Sequence, residues 1–531
     1  MAGSPADGSP PAAPPRRRRK LPLVVATIIG VLLVATGASV AVVRPGPVAG
    51  WLGAAPPPSP TPTPSAEPTP GPVLAGLAVD TPMPTAAGLS EALSEVLAGA
   101  SLGPRTHVAV QDMVTGTVLF SQSPSAMTMP ASTTKLVTAA TALAAVGPAH
   151  RITTRVVAGS EPGEVVLIGG GDPTLTAGES GFYPGAARLD ELAAATRTAL
   201  GGSTPTRIIL DVSLFSGPAL GPGWDDDIPT GGYASAITAL MIDGGRSDPA
   251  AGRGWAQRSA QPDLAAGRAF ARALGLPAAS VSTAPAGYVE QLASAPPQSE
   301  GSAGPAAAAS PDSVQNPAAA SARPGPSASA ASPDAAVQPG SELARVASPP
   351  MIGLVEMMLA DSDNVIAEAI ARQVAIARGE PASFTGAAAA MDAVLLELGL
   401  PAEQSDLSDG SGLSRRNRLT PALLTELLVL AGSGSRPELT GLFSGLPVAA
   451  WSGTLQDRYQ NTSDARRAGA GMVRAKTGSL SGVNALAGTV TTADGRLLAF
   501  AVLADSVPLY IDAAQAALDR IAATLARCGC R

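Results

Sequence analysis

Three short polar motifs lie far apart in this chain, and any fold that uses them together must bring residues 132, 362 and 476 to one place. They are Ser132-Thr133-Thr134-Lys135, Ser362-Asp363-Asn364 and Lys476-Thr477-Gly478. Lysine singles out the first and third. Of 35 basic residues only three, Lys20, Lys135 and Lys476, are lysine. Arginine stays protonated inside proteins, whereas a buried lysine can lose its proton and serve as a general base. A composition this biased toward arginine that keeps lysine inside two motifs indicates a demand for the amine itself.

Each motif has a chemical reading and an ordinary one. If Ser132 opens a helix, a spacing of three puts its hydroxyl and the Lys135 amine on one face. The positive potential of a helix N-terminus favours a developing alkoxide there, and an adjacent base is what a serine nucleophile needs. The ordinary reading is an N-cap serine with a surface lysine. Ser362-Asp363-Asn364 falls between two helical patterns, where these residue types are common caps. In company with the first motif, Ser362 is placed to relay a proton and Asn364 to hydrogen-bond a substrate amide. Lys476 and Thr477 end an apolar strand and offer a charge and a hydroxyl to a carboxylate. Gly478 removes a side chain where a substrate backbone would approach, unless the strand simply ends in a turn. The three in this order form the combination of β-lactamases and penicillin-binding proteins, and their joint occurrence outweighs the local alternatives.

Other chemistries lack parts. His107 and His150 are the only histidines, few candidates for a Ser-His-Asp triad or a zinc site, and neither metal nor cofactor is expected. Gly169-Gly170-Gly171 precedes Asp172-Pro173 and reads as a turn, not a phosphate loop. A formal net charge of −7 argues against nucleic-acid binding, which leaves a basic footprint.

Residues 1–20 form a basic tail ending in Arg16, Arg17, Arg18, Arg19 and Lys20, followed by an uncharged run over 21–43. Such a run is long enough to span a hydrocarbon core of roughly 30 Å. The basic cluster stays cytoplasmic by the positive-inside rule, which gives a single-pass membrane protein with an extracytoplasmic body. A cleaved signal peptide is the competing reading; the run exceeds the roughly 7 to 15 residues of a signal core, which favours a retained anchor. Residues 44–85 are a Pro-rich spacer. The segment 294–340 is almost pure Ala, Pro, Ser and Gly and reads as disordered, because it cannot bury enough surface to offset its ordering entropy. Cys528 and Cys530 can pair only in a strained ring, and read as a tail without a catalytic role.

The rest is α/β in the α+β sense. Residues 106–121 predict a hairpin turning at Thr115-Gly116, and the stretch after 471 predicts three strands and a closing helix. Both ends belong to one antiparallel sheet flanked by helices. The catalytic body is assigned to 86–152 and 345–531, interrupted by a β-rich inserted domain over 153–293.

The motifs, with DGSGLSRRN, LPVAAWSGTL and VRAKTGSLSGVNALAG, resemble those of the class C low-molecular-mass penicillin-binding proteins, D-alanyl-D-alanine carboxypeptidase/endopeptidases. Ser132 and Ser362 stand 230 positions apart, and a large insertion there marks this class. The resemblance covers roughly 89–531 apart from the Ala/Pro/Ser segment, and the Arg-rich chain is actinobacterial in style. It implies a penicillin-binding fold with a five-stranded antiparallel sheet. It also implies peptidoglycan peptides as substrates and β-lactams as inhibitors, with Ser132 as nucleophile, Lys135 as base and Ser362 as proton relay. Asn364, Lys476, Thr477 and Gly478 would bind substrate, and the backbone N–H groups of Ser132 and Ser479 would form an oxyanion hole. A β-lactamase-like hydrolase and a non-catalytic peptidoglycan-binding scaffold are the alternatives.

Overall fold

The strand Leu497–Ala504 shows how the catalytic body is layered. Its sequence, LLAFAVLA, is apolar throughout because the strand is covered on both faces. Side chains alternate across a strand, so Leu498, Phe500 and Val502 point to one side and Ala499, Ala501 and Leu503 to the other. The first set packs with Leu89, Leu93, Leu518, Ile521 and Leu525 of the helices Ala86–Leu97 and Ile511–Arg527. The second set, mostly alanine, meets a larger helical layer that includes Leu136, Val137, Ile366, Ile370, Leu424 and Leu428. These come from the helices Lys135–Ala145, Asn364–Ala377 and Pro421–Gly432.

This computed structural model describes residues 81–252, 256–285, 287–294, 338–460, 464–508 and 511–530. The basic tail, the apolar run over 21–43 and nearly all of the spacer and the Ala/Pro/Ser segment lie outside these residues. Among the described residues no helix is long and apolar enough to cross a membrane.

The central sheet has five strands in the order Val473–Leu480, Val483–Thr491, Leu497–Ala504, Thr106–Asp112, Val118–Gln122, with every pairing antiparallel. Both ends of the chain therefore build one sheet, and Val473–Leu480 is its edge. Arg496 in the last hairpin reaches the first strand and ion-pairs with the buried Asp112, tying the two ends together.

The inserted segment builds a second five-stranded sheet, ordered Val281–Thr283, Arg207–Asp211, Glu164–Ile168, Thr153–Ala158, Glu342–Ala347. It is mixed, with two parallel pairings, and carries the helices Leu189–Ala199 and Pro262–Leu274, so it is an α/β layer more than a β-rich one. Its outermost strand, Glu342–Ala347, crosses the boundary read at residue 345: it pairs with Thr153–Ala158, and Thr153 lies opposite Ala347. Exposed Glu342 and Arg345 hide this strand from a reading by hydrophobic pattern. At the C-terminus Cys528 and Cys530 form a disulfide, and the Cys530 carbonyl accepts the Thr85 N–H at 2.7 Å.

Candidate active site

The helix Lys135–Ala145 is buried along nearly its whole length, and its first residue is a lysine with no exposed surface. Ser132 does not open this helix; it stands in a 3₁₀ turn, Ala131–Thr134, just ahead of it. The Lys135 amine contacts three oxygens: Ser132 Oγ at 3.0 Å, Asn364 Oδ1 at 2.7 Å and the Ser411 carbonyl at 2.6 Å. Two of these are carbonyl oxygens, which only accept. A neutral amine has two N–H groups and one lone pair, so its lone pair is left for the only partner that can donate, the Ser132 hydroxyl. Burial pushes the Lys135 amine down to about 8, opposed by the carboxylates of Asp409, Glu368 and Asp363.

The second lysine repeats the arrangement. Lys476 Nζ donates to Ser362 Oγ at 2.8 Å and to the Thr477 carbonyl at 2.8 Å. Complete burial and the nearby Lys135 charge put its pKa well below the usual lysine range. Ser362 has φ +57° and Ala131 φ +47°, a region that costs a non-glycine residue about 1–3 kcal/mol. Backbone strain is therefore held at Ser362 itself and at the residue preceding Ser132.

Ser132, Ser362, Asn364, Thr477 and Ser479 line one cleft of about 480 Å³. Lys135 and Lys476 lie behind its wall, each bonded to a serine that faces it. Thr477 Oγ1 is 2.8 Å from Thr454 Oγ1, which adds a second hydroxyl beside the strand. Ser479 sits on the edge strand, whose outer side is bridged among the described residues only near its start, where Arg474 pairs with Val448. At Gly478 a Cβ would lie 2.7 Å from the Pro130 carbonyl, so the missing side chain admits the turn that carries Ser132. Asn364 is engaged at both ends of its amide, since its Nδ2 donates to the Tyr233 carbonyl at 3.0 Å.

Two further groups hold the first lysine's environment. The loop after Ser408 presents the Ser411 carbonyl because its backbone is pinned by buried carboxylates. Glu368 accepts the N–H groups of Gly410 at 3.1 Å and Ser411 at 2.8 Å. Asp409 accepts those of Gly412 at 2.8 Å and Ser414 at 2.7 Å, with Trp224 Nε1 at 2.7 Å. Burial and the neighbouring Asp409 raise Glu368 to about 7 against the pull of Arg372. The second group is Tyr183 of the inserted segment, whose hydroxyl donates to Asp363 Oδ2 at 2.7 Å. Asp363 Oδ1 meanwhile caps the helix Asn364–Ala377 through the N–H groups of Val365 and Ile366. The DGSGLSRRN stretch, which holds Asp409 and Ser411, is one signal in the sequence that points here, and the charged pair four residues apart in a buried helix, Glu368 and Arg372, is another.

Gly412 offers a direct test of this packing. With φ +85°, its Cβ would stand 1.9 Å from the Ala131 carbonyl. Gly412→Ala is expected to destabilise the protein by about 1–3 kcal/mol and to slow penicillin labelling at least about tenfold, because the Ser132 turn must move. A melting curve and a labelling time course check it; wild-type rates would show that the turn is not constrained by this loop.

A serine bonded to a buried, deprotonatable lysine, facing a second serine–lysine pair beneath the edge of a five-stranded antiparallel sheet, defines the penicillin-binding serine acyl-enzyme class. Comparison with known proteins gives the particular family. Residues 89–283 and 327–526 match the D-Ala-D-Ala carboxypeptidase 3 (S13) family, and the chain belongs to it. It is 37% identical to carboxypeptidase DacB of Mycolicibacterium smegmatis over 97% of this chain and 99% of that one. It is also 37% identical to carboxypeptidase Rv3627c of Mycobacterium tuberculosis, over 91% of each. Penicillin-binding protein 4 of Haemophilus influenzae shares the fold with a TM-score of 0.60, at 21% identity over 83% of this chain and 98% of that structure.

Proposed function

We propose that the protein is a serine-type D-Ala-D-Ala carboxypeptidase/endopeptidase that cuts peptidoglycan stem peptides through a Ser132 acyl-enzyme and is inhibited by β-lactams. The observation that carries this is the 3.0 Å contact between Ser132 Oγ and a Lys135 amine whose other two partners can only accept. Lys135 takes the hydroxyl proton as Ser132 Oγ attacks the carbonyl of the penultimate D-Ala. The oxyanion forms between the N–H groups of Ser132 and Ser479, a contribution of about 3 kcal/mol per donor in acyl transfer. The C–N bond then breaks, and Ser362, hydrogen-bonded to Lys476, delivers a proton to the departing amine. Thr477, with Thr454 beside it, holds the terminal carboxylate, and Lys476 acts from behind the wall through its hydrogen bonds to Ser362 and the Thr477 carbonyl. The peptide amide takes over the Asn364 Nδ2 that Tyr233 now occupies. Water releases the acyl group.

The run over residues 21–43 anchors this body on the outer side of the cell membrane in the same proposal. Fractionation of cells expressing the full chain and a chain beginning at residue 44 tests it; equal membrane association of the two would refute the anchor.

Digestion of defined peptides ending in D-Ala-D-Ala, with products identified by mass, tests the activity. Release of D-Ala is expected, and intact peptides after complete penicillin labelling would refute it. The pH profile adds a second check. Attack needs neutral Lys135, and the neutral fraction grows as pH rises. The penicillin acylation rate should therefore climb with pH up to the Lys135 pKa of about 8 and level off above it. A rate flat between about pH 6 and 9 would remove Lys135 as the base.

A further inference from the structure

Proton transfer to Lys135 creates an ammonium in a site with no exposed surface, near a second buried lysine, Lys476. A buried charge without compensation is costly, so the surrounding protein must offset it. The three direct partners of the amine are uncharged: the Ser132 hydroxyl, the Asn364 side-chain carbonyl and the Ser411 carbonyl. The last of these leads to a charge. The Ser411 carbonyl shares one peptide unit with the Gly412 N–H, which donates to Asp409 Oδ1 at 2.8 Å. Lys135 Nζ and the Asp409 carboxylate thus stand at opposite ends of one trans amide, where each strengthens the other's hydrogen bond.

The preceding peptide unit repeats the pattern. The Gly410 carbonyl accepts the Thr138 hydroxyl at 2.6 Å, and the Ser411 N–H donates to Glu368 Oε1 at 2.8 Å. Thr138 lies one turn beyond Lys135, so two successive amides bridge one helix face to two buried carboxylates. The two carboxylates differ. Glu368 is paired with Arg372 at 3.3 Å, which offsets its charge. Asp409 has no ion pair among the described residues. Five neutral donors surround it: the N–H groups of Gly412 and Ser414, Ser411 Oγ at 3.2 Å, Asn417 Nδ2 at 2.7 Å and Trp224 Nε1 at 2.7 Å. Donors with no cation among them surround an ionised carboxylate and leave its field to act on the lysine. Burial lowers the Lys135 pKa, and Asp409 opposes it most, followed by Glu368 and by Asp363, which Tyr183 engages. The Lys135 and Lys476 charges disfavour each other.

We propose that Asp409 is a positioning residue for the acylation step: its carboxylate, acting through the Ser411–Gly412 amide, is the counter-charge that lets buried Lys135 accept the Ser132 proton. The inference rests on the Ser132–Lys135 reading above. It gives residues 409–412 a part in proton transfer as well as in loop shape.

The test is the pH dependence of penicillin acylation, read on the wild-type enzyme and three variants, with a melting curve for each. Wild-type acylation should climb with a midpoint at about pH 8. Buried lysines without such support fall to about 5–6, so a wild-type midpoint below about pH 6.5 overturns the inference without any variant. Asp409→Asn removes the charge, destabilises the ammonium and should move the midpoint down by about 1–3 pH units. Glu368, raised to about 7, is largely ionised at the wild-type midpoint. Glu368→Gln keeps an acceptor oxygen for the N–H groups of Gly410 and Ser411 and should move the midpoint the same way, by less. Trp224→Phe takes one donor from Asp409 and leaves its charge, so the midpoint should not fall. A loop clamp without an electrostatic part predicts a lower plateau and an unmoved midpoint in Asp409→Asn, and that result overturns the inference. So does a fall in Trp224→Phe as large as that in Asp409→Asn, which would make the bonds and not the charge the requirement. If Asp409→Asn does not fold, an unmoved midpoint in Glu368→Gln overturns it. A wild-type enzyme that penicillin labels at no pH would instead overturn the Ser132–Lys135 reading, and this inference with it.

Discussion

Replacing Ser132 with alanine abolishes covalent labelling by a fluorescent penicillin and leaves the protein folded. The substitution removes one hydroxyl from a half-buried position and one hydrogen bond to Lys135, worth about 0.5–1.5 kcal/mol. The amine keeps its bonds to Asn364 Oδ1 and the Ser411 carbonyl, so the lysine is not stranded. Stability therefore changes little, whereas turnover falls by roughly six orders of magnitude, the scale expected when an acyl-enzyme loses its nucleophile. Intact-mass spectrometry after incubation with penicillin, paired with a melting curve, reads both. Stoichiometric labelling of the alanine variant would refute the nucleophile assignment.

Lys135→Arg is expected to be nearly inactive although it preserves the charge. Arginine cannot give up its proton at accessible pH, so the acceptor for the Ser132 hydroxyl is lost; general-base catalysis of this kind contributes about 10²–10⁴-fold. The larger guanidinium must also enter a fully buried site between three oxygens, and overpacking there costs about 1–3 kcal/mol. Lys135→Met separates the two effects, since it fills similar space with neither charge nor base. Equal loss in both variants marks the base as the requirement. Substantial turnover by the Arg variant, measured as kcat/KM at about pH 8, would mean that the charge alone suffices.

Much of this site can be read in the chain because its key atoms belong to side chains of rare type. Only three lysines are present, and two of them are the buried amines. The sheet was legible for a related reason, since Leu497–Ala504 and its neighbours carry unbroken apolar runs. What escaped was what backbone atoms do. The carbonyls of Ser411 and Tyr233 occupy Lys135 and Asn364, and a carbonyl looks the same at every position. Asp363 shows a further limit: the capping and active-site readings of Ser-Asp-Asn are rivals in the sequence, yet in the structure the first does not exclude the second. Asp363 caps the helix while Ser362 bonds Lys476. Tyr183 was hidden because its meaning depends on a segment folding back over 180 positions onto Asp363.

The pairing of Thr153 with Ala347 has a consequence for how such a chain can change in length. The departing and returning strands are hydrogen-bonded neighbours, so the host body sees the excursion between them as a single narrow doorway. Lengthening or trimming the chain inside that doorway alters closure entropy only slowly, by about 0.6 kcal/mol per doubling. It leaves the spacing across the threshold untouched. Insertions accumulated there would be tolerated without resetting the geometry of the nucleophile, which is how a long Ala/Pro/Ser stretch and an acyl-enzyme can share one polypeptide.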